Sequence, residues 1–306
     1  MRFTIIDYIC SMKINGINIK KVILAIVAPL VIACGAMAQR EVGSPTILSG
    51  IIAKPRFDAP NALKSYLDLK CKDGSKAYLN TFSVFEEMLS EPTWDYHNEE
   101  LFTILVEHAS TAYCLNENER MRPKAMLEIV HKNAPGTVAN DIDYETIDGA
   151  KHQLSNIATP YTLIYFNDPE CFSCEKVKQR LDTCSILKDM VNDSTLTVVG
   201  IYPYDNVDEW RQESFPTYII NGWDYKQKVD GEATYDLMTM PLFYLLDRDK
   251  HVILKNEASL NCVLRVLTHI KGKSYTNIDK LLNDTWNWTI SPRILEMVRE
   301  LRNGNY

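Results

Sequence analysis

The chain has no basic excess, no apolar run long enough for an ordinary transmembrane helix and no dense set of cysteines, and each shortage narrows what its 306 residues can be. Lysine and arginine number 33 against 40 aspartates and glutamates, giving a formal charge of -7 and an isoelectric point near 5.5. No cationic surface is then available to neutralise phosphates, so a nucleic acid is not an expected partner. Eight cysteines are too few for a dense disulfide framework, yet enough for one catalytic pair plus one or two bridges or free thiols. Internal repeats and low-complexity tracts are also missing. What is present is apolar material, 46% hydrophobic and 10% aromatic, sufficient for two modest domains that each bury a core.

The longest apolar stretch, Val22 to Ala33 after Lys20-Lys21, is about a dozen residues and reads as a signal-peptide core. The polar lead before it is long, and translation from Met12 would give a more typical basic start. Two processing sites compete. Ala36-Met37-Ala38 before Gln39 has the small-x-small pattern of ordinary cleavage and would release a soluble chain. Val31-Ile32-Ala33-Cys34 resembles a bacterial lipobox, which would lipidate Cys34 and tether the chain to a membrane. An uncleaved anchor is the third alternative. In each case the body leaves the cytoplasm for the periplasm or cell envelope. Residues 1–38 hold four basic residues and one acidic, so their removal takes the formal charge from -7 to -10.

Residues 39–60 carry Pro45, Pro55 and Pro60 with little periodicity and read as an extended lead-in. Over 61–134 apolar residues recur at three-to-four spacing, as in Leu63, Tyr66 and Leu67, then Leu101, Leu105, Ala109 and Ala112, which predicts a small all-helical domain. Asn98 before Glu99-Glu100 is a helix start, its side chain able to cap free N–H groups. The pattern stops at Ala134-Pro135-Gly136. Beyond it, Tyr161–Phe166, Leu196–Tyr202, Leu242–Leu246 and Val252–Leu254 are short β-prone runs, and 172–191 and 257–271 have helical spacing. Strand, helix, strand, helix, hairpin, helix is the order of a thioredoxin fold, here over residues 135–273, so the fold class is α/β with a helical domain ahead of it. Residues 274–306 predict a tail of one or two helices packing back on the body.

Cys171-Phe172-Ser173-Cys174 follows the first buried strand by five residues and opens the next helix. A thiol at a helix N-terminus faces unpaired N–H groups and the positive end of the dipole, both of which favour the thiolate. Cys171 is therefore the candidate nucleophile and Cys174, one turn along, the resolving thiol. Some 70 residues later Met240-Pro241 begins a strand. A lone C-x-x-C is a weak signal, and this placement strengthens it. Other readings stand beside it. The pair could be an inert structural disulfide, or half of a zinc site recruiting Cys184, Cys262 and His269 from separate helices, although no second C-x-x-C or H-x-H exists. Pro241 could be trans and merely open an edge strand.

At these residues the chain resembles the TlpA and ResA class of thioredoxin-like proteins, and more closely a Gram-negative bacterial group in which a helical domain of unknown function precedes the thioredoxin fold. The matching stretches are Trp94 to Leu101, Lys132 to Thr137 with Ala139 and Asp141, Tyr161 to Cys174, and Tyr235 to Leu254. The resemblance implies a periplasmic or membrane-tethered thiol–disulfide oxidoreductase. Its only redox group would be the Cys171–Cys174 disulfide, with no further cofactor or metal, and it would draw on a membrane or periplasmic electron donor and act on a protein or small-thiol substrate. It also implies a cis Pro241 beside the dithiol, with Met240, Pro241 and Phe172 contacting substrate. The tryptophan usual before the first cysteine is Glu170 here, an acid that opposes thiolate formation and could serve either as a proton relay or only as a solvated turn residue.

Cys71 and Cys114 could form a structural disulfide or remain two buried thiols. Cys184, ten residues past Cys174 on the same predicted helix and about 15 Å along it, cannot reach the pair. Cys184 and Cys262 read as small buried hydrophobes, and Trp210, Trp223, Trp286 and Trp288 as core or interface anchors. The expectation is a reductase or isomerase of disulfides. Its rival is a non-catalytic binding or assembly protein on the same fold.

Overall fold

A computed structural model describes residues 13–14, 17–18, 44–237 and 239–303. Cys34, Met12 and both candidate cleavage sites lie outside the described residues, and before Ser44 the described residues are those of β1 (Lys13–Ile14), paired with β2 (Ile17–Asn18). The described residues from Ile47 onward form one compact unit in which helices precede a sheet.

Within this unit and the turn before it, five helices precede the sheet among the described residues: α1 (Ser44–Ile52), α2 (Ala59–Lys72), α3 (Ser75–Ser90), α4 (Glu99–Thr111) and α5 (Glu117–His131). The extended lead-in expected over 39–60 is thus corrected, because the chain is helical from Ser44 to Ile52. Pro45 and Pro60 both sit in first turns, where the N–H that proline lacks has no helical partner to lose. Pro55 lies in the turn between, its carbonyl accepting from the N–H of Asp58 and Ala59 at 2.8 and 3.0 Å. Leu63 and Leu67, Tyr78, Phe82, Phe85 and Leu89, then Leu101 and Leu105 supply one core from successive turns of α2, α3 and α4. The Asn98 cap is as expected, with Oδ1 accepting from Leu101 N–H at 2.9 Å. Cys71 and Cys114 are bonded to each other across this core, Cα–Cα 5.3 Å.

The chain leaves α5 through Asn133 and Gly136, both at positive φ, a backbone that asparagine and glycine adopt most readily. A seven-stranded sheet follows, built from β3 (Asp143–Thr146), β4 (Lys151–Gln153), β5 (Tyr161–Phe166), β6 (Leu196–Tyr202), β7 (Ile219–Trp223), β8 (Leu242–Asp247) and β9 (Val252–Glu257), in the order β4-β3-β7-β6-β5-β8-β9. β5 pairs parallel with β6 and antiparallel with β8, and β8 turns into β9 as a hairpin. Alternation sends Leu163, Tyr165, Phe243 and Leu245 to one face and Ile164, Phe166, Tyr244 and Leu246 to the other, and both faces are covered.

One further correction concerns 172–191. Two helices occupy it, α6 (Phe172–Asp182) and α7 (Ser185–Asn192), because Thr183 and Cys184 leave helical geometry. Cys184 is therefore the residue before a second helix, half-buried, and not a later turn of the first. After the short α8 (Val207–Gln212) and the sheet come α9 (Leu260–Ile270), α10 (Ile278–Thr289) and α11 (Pro292–Arg302). The last two pack back on the body, α10 against both cores. Leu281 and Leu282 of α10 join the sheet core, whereas Trp286, Ile290 and Ile294 join the helical core. Trp286 also donates from Nε1 to the Lys54 carbonyl at 2.8 Å.

Candidate functional site

β5 ends at Phe166 and the turn Asn167 to Glu170 delivers the chain to α6. Asp168 shapes that turn: its carbonyl accepts from Cys171 N–H at 3.0 Å and its Oδ1 from Glu170 N–H at 2.9 Å. Cys171 then stands as the cap of α6, with its Sγ accepting from Cys174 N–H at 3.2 Å. A sulfur in that position takes the place of the usual capping oxygen.

The other half of the site comes from 69 residues away. Met240-Pro241 is a cis peptide, and the Cys171 thiol donates to the Met240 carbonyl at 3.7 Å. Cys171, Met240 and Pro241 thus meet at one place, while Pro241 is buried and the other two are half-buried. The two thiols are unbonded. Cys174 is 3% exposed. Burial, and next its hydrogen bond with Cys171, push the Cys174 thiol up well above the ordinary value, against a smaller downward pull from the Asp168 backbone. An accessible capped sulfur ahead of a buried, protonated one can divide attack and resolution between them.

Phe172 projects at 73% exposure, with Lys176 Nζ 4.2 Å from its ring centre. Glu170 is exposed, and no hydrogen bond joins its carboxylate to either thiol. Cys184 and Cys262 hold no bond to the pair, and Cys262 instead donates to the Thr289 carbonyl at 3.7 Å. Among the described residues no group of three or more histidines, cysteines or acids is placed to hold a metal ion.

Two supports escaped the sequence reading. Tyr165 donates its hydroxyl to the Cys174 carbonyl at 2.9 Å, fastening the first turn of α6 to the central strand. A tyrosine inside a fully buried strand needs such a partner, and that was a usable signal. Asn167 is 3% exposed, and its Oδ1 has no partner, directly behind the turn that carries the dithiol. Nothing in the local sequence marks it.

No protein-family model and no curated protein matches the sequence. Solved structures do. A thioredoxin-like protein from Bacteroides caccae is 29% identical, with 68% of this chain and 76% of that one covered at a TM-score of 0.63. The C-terminal domain of an uncharacterised Bacteroides fragilis protein is 32% identical, over 45% of this chain and 99% of that one, TM-score 0.43. The thioredoxin domain of a Bacteroides vulgatus thiol–disulfide oxidoreductase is 21% identical, over 44% and 98%, TM-score 0.37. The first match covers more residues than the sheet spans, and together with the strand order and the helix opening after β5 it means that the fold of this chain is thioredoxin-like.

Proposed function

We propose that the protein is an exported thiol–disulfide oxidoreductase, a reductase or isomerase of protein disulfides working through Cys171 and Cys174. The observation that carries this reading is the convergence at Cys171, whose sulfur caps α6 while its thiol faces the Met240 carbonyl at 3.7 Å. Cys171 as thiolate attacks one sulfur of a substrate disulfide, the substrate S–S bond breaks and a mixed disulfide forms. Cys174 then attacks Cys171, the two protein thiols are oxidised to a disulfide, and both substrate sulfurs leave as thiols. Met240 and Pro241 hold the substrate chain and exposed Phe172 packs beside it; Glu170 acts at most as a remote proton relay. A periplasmic or membrane electron donor returns the pair to the dithiol form. Export is supported by the apolar core at Val22–Ala33 and by the Cys71–Cys114 bridge, since such bridges persist in oxidising compartments. Release at Gln39 and tethering through lipid on Cys34 both fit it.

The test is insulin reduction by the purified chain with dithiothreitol as donor, beside Cys171→Ser and Cys174→Ser. The expected result is turnover in the parent, lost in both variants, with a mixed disulfide accumulating on Cys171 in Cys174→Ser. A parent without turnover whose pair resists reduction would leave a non-catalytic binding or assembly role on the same fold.

A further inference from the structure

A groove leads away from the cis-proline loop, and nothing in the dithiol chemistry uses it. It begins at Thr239 and Leu242, the residues flanking Met240-Pro241, and encloses a cavity of about 390 Å³ whose opposite wall is helical, with Met126 and Ile129 of α5. A second depression of about 370 Å³ shares Ile129 and Asp236 with the first and is also lined by Leu237 and Ala233. Both have α5 residues on one side, and Asp236 lines both.

The walls are apolar where a solvated helix would be polar. α5 buries only Pro123 and Val130, yet Ile129 is 52% exposed and Met126, one turn earlier on the same face, is half-buried. The charges around the groove largely cancel in pairs. Arg122 meets both oxygens of Glu86 at 2.7 and 2.5 Å, and Lys255 meets Glu99 at 3.1 Å. That leaves Glu91 and Asp230 against Lys132, an acid excess. An apolar slot with an acidic rim, opening at the residues that flank Met240-Pro241, matches an extended polypeptide with apolar side chains and basic neighbours.

We propose that this groove holds the polypeptide flanking the substrate disulfide, so that α5 and the helical part of the chain select unfolded protein disulfides, apolar and basic in sequence, over small disulfides. The proposal rests on the dithiol reading above and deepens it.

The experiment uses the full purified chain, reduced and freed of donor, oxidised in single turnover by three probes: the symmetric disulfide of Lys-Leu-Leu-Cys-Leu-Leu-Lys, its counterpart with glutamate for lysine, and 5,5′-dithiobis(2-nitrobenzoate). In each reaction the protein dithiol gives two electrons and two protons to the probe disulfide. The parent is expected to react faster with the lysine peptide than with the glutamate peptide. Ile129→Ser is expected to slow both peptides by about tenfold, the usual effect of losing one apolar anchor, and to leave the small disulfide unchanged. Met126→Ser should act in the same direction, and melting curves identify a variant that has merely unfolded. Equal slowing of peptides and small disulfide, or no slowing of either in both variants, would overturn the groove. A parent oxidised by none of the three would overturn the dithiol reading and this proposal with it.

Discussion

Replacing Lys255 by methionine should cost more stability than any other single change of a charged side chain in the described sheet. Lys255 Nζ meets Glu99 Oε2 at 3.1 Å, with the two side chains 2% and 8% exposed. It also donates to the Val130 and Ile129 carbonyls at 3.3 and 3.4 Å. The other Glu99 oxygen accepts from Asn256 Nδ2 at 3.0 Å, and Asn256 Oδ1 takes the Tyr244 hydroxyl. Methionine keeps the volume of the lysine stem but removes the charge, leaving a buried carboxylate with one amide for company. Breaking a buried pair in this way costs about 3–5 kcal/mol. For a unit of this size about 2–4 °C of melting temperature follows each kcal/mol, so the variant should melt roughly 6–20 °C lower. Urea unfolding followed by tryptophan fluorescence checks the energy, through a lower midpoint at unchanged slope. Glu99→Gln should be costly for the mirrored reason, and the double variant Lys255→Met with Glu99→Gln should cost clearly less than the two added. A Lys255→Met cost below about 1 kcal/mol, or simple additivity in the double variant, would refute the claim that these charges are desolvated and depend on each other.

Two further outcomes follow from the same structure. Replacing Cys71 and Cys114 by serine opens a link across 43 residues, for which the chain-entropy relation gives about 4 kcal/mol; chemical denaturation should show a loss of about 2–4 kcal/mol, and the parent should lose a similar amount in reducing agent. Glu257 is pushed above the ordinary carboxylate range by burial, against the opposing charges of His97 and Arg265, so the folded state holds its proton more tightly than the unfolded chain does. Its contribution is fully present below the unfolded value and is lost as pH rises through the folded one. Glu257→Gln, which keeps an acceptor for the Ser259 N–H, should therefore stabilise the chain by about 1 kcal/mol at neutral pH and leave it unchanged in acid, as read by melting curves at both.

Much of the sheet was legible because its central strands are buried on both faces. Tyr161–Phe166 and Leu196–Tyr202 match the observed strands residue for residue, since every position of β5 is buried and an unbroken apolar run results. β3, β4 and β7 were not legible for the converse reason. Lys151–Gln153 is exposed throughout, and Ile219-Ile220-Asn221-Gly222-Trp223 lacks both a run and an alternation. Gly222 looks like a turn residue in sequence. In the structure it lets Tyr144 approach so closely that an added Cβ would stand 2.8 Å from the ring, which is a packing fact and leaves no local trace. The misread lead-in at Pro45 and the break at Thr183-Cys184 have one cause: proline in a first turn and a β-branched residue after a helix are each compatible with either outcome, and packing decides.

The candidate site divides along the same line. Cys171 and Cys174 share a helix turn, so their relation is local and a four-residue motif carries it. Met240-Pro241 could be tied to them through the resemblance alone, because what joins the two is the antiparallel pairing of β5 with β8, which sets Phe166 opposite Leu242 and so brings the residue after one strand to the residue before the other. That pairing was implicit in the order of the elements. The contact between the helical part and the sheet had no such guide. Glu99 and Lys255 lie 156 positions apart, and an acid at a helix start or a lysine near a strand end is ordinarily solvated, so the reading that holds for most such residues fails for this pair. Asn98 to Glu100 read only as a helix start, and the further reason for that stretch is long-range: the Glu99 side chain reaches Asn256 at the end of β9, and Asn98 caps the helix that carries it there. If the groove along α5 selects substrate, this buried contact is also what holds its two walls in register, and Lys255→Met should then lower the peptide rates at temperatures where the variant is still folded.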